Sequence, residues 1–236
     1  MFNEKPIISN QHGALVMAFV PFLYGIFESH FIVQHIFFGL SWLFLYFFSY
    51  PFLAIFNRKN NTKYKKWAII YAVISLLFAI PLLFYKIAIL QFSLFILPLA
   101  VVQIYYAKKK DERNLINDIA GILTFGIIGV ASYYLVTDQY QWWILLHPTL
   151  FFITTTLYVK SVARERKNPL YLKLSLFSHL LCVGLYLLFN QYAIAFAYFI
   201  ALLRAIIVPK KQLNIKQVGI LEFGVVFIFI IVLYLS

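Results

Sequence analysis

The chain is written in long apolar runs separated by short polar punctuation. Segments rich in Phe, Leu, Ile, Val and Tyr run over Gly13–Glu28, Phe31–Phe56, Trp67–Tyr85, Ile87–Ala107 and Leu115–Val136. They continue over Trp142–Val159, Leu170–Phe189, Tyr192–Val208 and Val218–Leu235. A helix needs about 20 apolar residues, within roughly 17–25, to cross a hydrocarbon core about 30 Å thick. The pattern therefore predicts an all-α, polytopic transmembrane bundle of nine spans. The first run is short and its link to the second is tight, so a re-entrant hairpin is the competing arrangement there.

Charge gives an independent check, because cytoplasmic loops carry an excess of Lys and Arg. Lys5 precedes the first run. The second-to-third connection carries Arg58, Lys59, Lys63, Lys65 and Lys66; the fourth-to-fifth carries Lys108, Lys109, Lys110 and Arg113. The sixth-to-seventh carries Lys160, Arg164, Arg166, Lys167 and Lys173; the eighth-to-ninth carries Arg204, Lys210, Lys211 and Lys216. Of the 20 basic residues, Lys86 alone falls in a connection on the opposite side. A miscounted span would scramble this alternation. The expected topology has the N-terminus in the cytoplasm and the C-terminus outside. The outer links Ser29-His30, Tyr85-Lys86, Thr137–Gln141 and Asn190-Gln191 are too short to fold as an ectodomain. Trp142-Trp143 and Tyr133-Tyr134 suit the outer interface and Trp67 the inner one.

Composition agrees. Of 236 residues, 63% are hydrophobic and 12% charged, whereas a soluble domain is about half apolar and a quarter charged. One membrane domain over residues 1–236 is expected. A net charge of +12 would point a soluble protein towards nucleic acid. Here the cations sit in topogenic loops, so membrane lipids are the expected partners and nucleic acid is not. The single cysteine, Cys182, excludes an intrachain disulfide and a cysteine-based metal cluster. No A-x-A-like cleavage site follows the first run, which is expected to stay in the mature chain. The abundance of Phe, Ile, Lys and Asn suits an AT-rich bacterial genome, hence a bacterial cytoplasmic (inner) membrane. An odd span count argues against two equal inverted halves. Pro21, Pro51, Pro81, Pro98 and Pro148 are expected as tolerated kinks.

Polar residues at membrane depth are the natural site candidates. Several share the cytoplasmic level: Gln11-His12-Gly13, then Asn114, Asn117 and Asp118, then Arg164-Glu165-Arg166-Lys167-Asn168-Pro169, and Arg204. Asn114, Asn117 and Asp118 fall on one helical face. They read either as the wall of a polar cavity or as a cap and a favourable first-turn acid. His12 reads as an acid–base or phosphate-donating group, or as an interfacial histidine. His179 reads as a packing residue or a site wall. Glu222 reads as the partner of a bundle cation or as an interfacial acid. His30, His35 and His147 are scattered and do not make a metal triad. Arg164 and Arg166 differ from the lysines because a guanidinium fork matches phosphate geometry. There is no Walker A motif, no H-E-x-x-H, no nucleophile elbow and no G-x-G-x-x-G after a strand.

Asn10-Gln11-His12-Gly13-Ala14 and Val20-Pro21-Phe22-Leu23-Tyr24-Gly25 resemble the YwiC-like family of bacterial membrane proteins. So do Tyr50-Pro51-Phe52, the stretch Glu112-Arg113-Asn114-Leu115-Ile116-Asn117-Asp118-Ile119-Ala120-Gly121, and Arg164-Glu165-Arg166-Lys167-Asn168-Pro169. That resemblance implies a multi-pass membrane protein and brings no activity with it. The span count, the inside N-terminus, and Pro21 with Gly25 also resemble UbiA-type intramembrane prenyltransferases. Those enzymes carry two Asp-rich motifs that hold a prenyl diphosphate through Mg²⁺. In this chain Asn57-Arg58-Lys59-Asn60-Asn61 has no carboxylate and the sixth-to-seventh loop has only Glu165, so the metal chemistry does not transfer. The expectation is recognition of an anionic isoprenoid or phospholipid headgroup at the cytoplasmic face. His12, Asn114, Asn117, Asp118, Arg164, Arg166 and Asn168 are the candidates, with arginine rather than a paired metal centre carrying the charge. The alternative is a non-catalytic lipid-binding or transport component.

Overall fold

The computed structural model describes residues 5–9, 12–57, 61–211 and 213–236, with His12 represented by its backbone. Among these residues there are nine α-helices and no strand. They are α1 (His12–Phe27), α2 (Gln34–Asn57), α3 (Thr62–Tyr85), α4 (Ser93–Lys108), α5 (Leu115–Thr137), α6 (Trp143–Val159), α7 (Pro169–Leu188), α8 (Tyr192–Ile207) and α9 (Ile215–Leu235). A 3₁₀ segment, Ile87–Phe92, leads into α4, and a π-helical turn, Lys160–Arg164, continues α6. All five expected span prolines lie inside helices.

Among the described residues seven helical segments are long and apolar enough to cross a membrane, and Gly13–Phe27 is a shorter apolar helix. The faces they present outward require lipid. Phe84 is 89% exposed, Leu188 78% and Ile87 72%. In the segment that includes α4, only 11% of the most apolar window is buried, at a mean hydropathy of 2.3. Water cannot cover so much contiguous apolar surface, and a bilayer can. The chain is a multi-pass membrane protein.

Asparagine starts the helices that follow basic loops. Asn114, Asn168 and Asn214 cap α5, α7 and α9, their side chains accepting from the backbone N–H of Ile116, Leu170 and Gln217. At α9 the Gln217 side chain reciprocates, closing a capping box. Such a cap satisfies an otherwise orphaned donor and stabilises a helix start by about 1 kcal/mol. The box also explains why α9 begins at Ile215, three residues before its apolar run.

The helices form two compact units, Met1–Leu145 and Leu146–Ser236. In the first, α5 is the central element, with 61% of its apolar window buried, packed against α1 and α4 while α2 pairs with α3. The α1–α5 crossing is very close. A Cβ on Gly25 would stand 2.4 Å from the Gly129 carbonyl oxygen, and one on Gly129 would stand 2.6 Å from that of Pro21. Pro21 and Gly25 therefore have a packing role in this fold. Trp42 Nε1 donates to the Ala18 carbonyl at 2.9 Å, and Ser75 Oγ to the Ser41 carbonyl at 2.8 Å. These bonds fasten α2 to its neighbours. In the second unit α8 packs on α7 and α9, and the stacked rings of Phe151 and Phe229, 3.9 Å apart, join α6 to α9.

Candidate functional site

In the first unit the polar residues gather around the start of α5. The turn after α4 closes with Lys110 in the left-handed conformation, at φ 57°. Asn114 uses its carbonyl as the cap and donates its amide to Asp111 Oδ2 at 2.8 Å. Asn117 donates to the Glu112 carbonyl at 2.7 Å. Glu112 in turn accepts from Asn57, at the end of α2. The connection after α2 thus borrows a carboxylate from the connection after α4. Neither Asn57 nor Glu112 stood out in the sequence, because each is ordinary in its own loop. A shallow depression of about 450 Å³ is lined by Asn57, Lys110, Asp111, Glu112 and Arg113. The side chain of His12, together with Asn10, Gln11 and residues 58–60, lies outside the described residues.

In the second unit Arg164 ends the π-helical turn. It is exposed. Arg166 is engaged: its Nε donates to the Val162 carbonyl and its Nη2 to that of Leu213. That pair of bonds joins the α6–α7 connection to the segment leading into α9. It draws the loop of Arg164 and Lys167 towards that of Lys210, Lys211 and Lys216, making one cationic end. Asn168 is the cap of α7.

Beneath this end lies a buried ionic cluster to which each helix of the unit contributes. The Arg204 side chain is 3% exposed and that of Glu222 14%, and Arg204 Nη1 is paired with Glu222 Oε2. The Arg204 guanidinium lies over the Tyr158 ring, 4.1 Å from its centroid. His179 is fully buried. Its Nδ1 is 2.7 Å from the Ser175 carbonyl, and its Nε2 is 3.3 Å from Arg204 Nη2. A carbonyl only accepts, so Nδ1 carries the hydrogen and Nε2 accepts from arginine. The geometry defines a neutral imidazole. Arg204 Nε, Glu222 Oε1 and the Tyr158 hydroxyl are buried with unfilled hydrogen-bonding capacity.

Of the other histidines, His35 is structural. Its Nδ1 accepts from Ile32 N at 3.1 Å, and its Nε2 donates to the Ser132 carbonyl at 3.1 Å. His147 packs against the Tyr186 ring, with centroids 5.4 Å apart. The sequence marked Arg204, His179 and Glu222 separately. It gave no sign of Tyr158, one of 17 tyrosines, because its distinction is purely spatial.

The profile of the YwiC-like proteins matches residues 8–133, more than half of the chain. This chain belongs to the YwiC-like family. Over nearly its whole length it is also similar to two bacterial proteins. One, from Haemophilus influenzae, is 47% identical over 235 residues, covering 98% of this chain and 99% of the relative. The other, YwiC of Bacillus subtilis, is 37% identical over 221 residues, or 92% of each chain. No solved structure matches. The YwiC-like profile ends within α5, so the Arg204 cluster lies beyond it, in the part reached by the full-length relatives.

Proposed function

We propose that this YwiC-like protein crosses the bacterial cytoplasmic membrane nine times, with its N-terminus inside, and binds an anionic amphiphile at its cytoplasmic face. An isoprenoid diphosphate or a phospholipid has the required chemistry: a headgroup for the cations and a tail for the apolar helix faces. The observation that supports this most directly is the cationic end of the second unit. Arg166 spends two guanidinium nitrogens on main-chain carbonyls and gathers two basic loops. Arg164 is left exposed, with its planar fork available for a phosphate or carboxylate. In the first unit Asn114, Asn117 and Asp118 are proposed only for hydrogen bonds to the polar part of a headgroup.

The test compares binding of an anionic isoprenoid or phospholipid to purified protein at fixed ionic strength, because screening weakens surface charge effects. Arg164→Ala should weaken binding by about tenfold, the loss expected of about 1.4 kcal/mol from one charge-assisted contact. A metal chelator should change it little. Normal binding by Arg164→Ala, with binding abolished by chelator, would replace this reading with a metal-dependent one. A second reading, a transport component, draws support from the buried Arg204–Glu222 pair, since ionisable residues inside transmembrane segments mark ion and substrate pathways.

A further inference from the structure

The Arg204–Glu222 pair sits deeper than any topogenic charge needs to. Arg204 is three residues from the end of α8, about 5 Å in, and Glu222 is seven residues from the start of α9, about 10 Å in. Both lie beneath the arginine-joined loops. Burying an ion pair is seldom a gain in stability over apolar packing of the same volume. Their presence calls for a functional explanation, and the unfilled capacity of the cluster suggests one. Arg204 Nε–H and the Tyr158 hydroxyl are donors without an acceptor, and Glu222 Oε1 is an acceptor without a donor.

We propose that this cluster is a proton-coupled anion site for a phosphate-class group. In the structure Glu222 acts as an internal counter-ion to Arg204. An arriving anion takes the guanidinium and the Tyr158 hydroxyl, while one proton from the aqueous phase binds a Glu222 carboxylate oxygen. When the bound anion carries one negative charge, it and the proton enter together and the charge of the cluster does not change. That is the inexpensive way to exchange ligands in a low-dielectric interior. The proton goes to Glu222 because the other faces are closed to it. From α7, His179 offers Nε2, which already faces Arg204, and Ser175 offers a carbonyl that already accepts from His179 Nδ1. From α6 comes the Tyr158 phenol. The unit's other buried cation, Lys160, sits 5.9 Å from the Tyr171 ring centroid of α7. The inference rests on the anionic-headgroup reading for its ligand class and adds the proton, the residue that takes it and the depth.

The experiment uses full-length protein in phosphatidylcholine nanodiscs, titrated with inorganic phosphate in one arm and phosphatidic acid vesicles in the other. Calorimetry in two buffers of different ionisation heat counts protons. Wild type should take up about one proton more per anion bound than Glu222→Gln, a difference that the probe's own titration does not affect. Wild-type affinity should fall about tenfold more steeply per pH unit than that of Glu222→Gln. Binding in the phosphatidic acid arm alone would assign the site to a lipid headgroup, and binding of inorganic phosphate to a free anion. The double variant Arg204→Gln/Glu222→Gln removes both charges at nearly constant volume, leaves no buried ion unpaired, and should lose the proton-linked binding. Equal proton uptake by wild type and Glu222→Gln, undiminished binding by the double variant, or no binding of either probe to wild type would overturn the proposal. Binding that is lost in Arg164→Ala but never linked to a proton would overturn it while leaving the surface reading intact.

Discussion

Arg204 and Glu222 show how a single residue type can carry opposite meanings by depth. Arg164 and Arg166 stand at the aqueous end, where a charge costs little; Arg204 is stripped of water and held by an acid from one helix and an imidazole from another. The sequence left Glu222 as either the partner of a bundle cation or an interfacial acid, and the structure pairs it with Arg204. The sequence did not make Tyr158 visible, because aromatic rings are everywhere in this chain and only the fold puts one under a guanidinium. The glycines divide in the same way. Gly129 is set against the Pro21 carbonyl, whereas a Cβ on Gly121 or Gly184 would meet no neighbouring atom within 4 Å. Gly129→Ala should therefore destabilise the protein by about 1–3 kcal/mol through overpacking. Gly121→Ala should be neutral or slightly stabilising, since alanine is the better helix former. Thermal unfolding in one detergent checks both. Equal melting temperatures for the two variants would mean that α1 and α5 do not cross at this point.

At the scale of elements, the one cation on the wrong side of the charge alternation has a local explanation. Lys86 Nζ donates to the carbonyls of Tyr134 and Leu135 at 3.1 and 3.0 Å, and pairs with Asp138 at 2.8 Å. It closes the C-terminus of α5, where the helix leaves its last carbonyls unsatisfied and its dipole favours a cation. Lys86→Gln should lower stability by about 1–2 kcal/mol, measured by thermal unfolding, and should leave the orientation of the chain unchanged. An inverted chain would show instead that Lys86 is a topogenic charge. Helix boundaries were legible to within a few residues because runs of apolar residues set them. Two deviations are local: the capping box starts α9 early, and Ile87–Phe92 is wound as 3₁₀ rather than α; α3 begins at Thr62, five residues before its apolar run at Trp67. The lengths of α1 and α6, 16 and 17 residues, correspond to about 24–26 Å at 1.5 Å per residue. Both are short of a full hydrocarbon core, and the π-helical turn after α6 adds to its reach.

For the whole molecule, apolar pattern and charge together made a multi-pass helical protein readable, since nothing but lipid covers such faces. The site was readable only as a level in the membrane. Asn114 and Asn168 turned out to serve as helix caps, Arg166 as a clasp between loops, and the ionic cluster emerged from side chains 64 positions apart at its extremes, Tyr158 and Glu222. Pattern gives depth along each helix; which faces meet depends on packing that one sequence does not display. The account depends above all on both basic loops facing the cytoplasm, because the proposed anionic headgroup site and its proton supply belong to that side. Single cysteines at Asn61, Lys167 and Gln139, in a background lacking Cys182, test this directly with an impermeant thiol reagent on intact cells. The account predicts labelling at Gln139 alone, with Asn61 and Lys167 labelled only after the membrane is opened. Labelling of Asn61 or Lys167 from outside, with Gln139 protected, would contradict it.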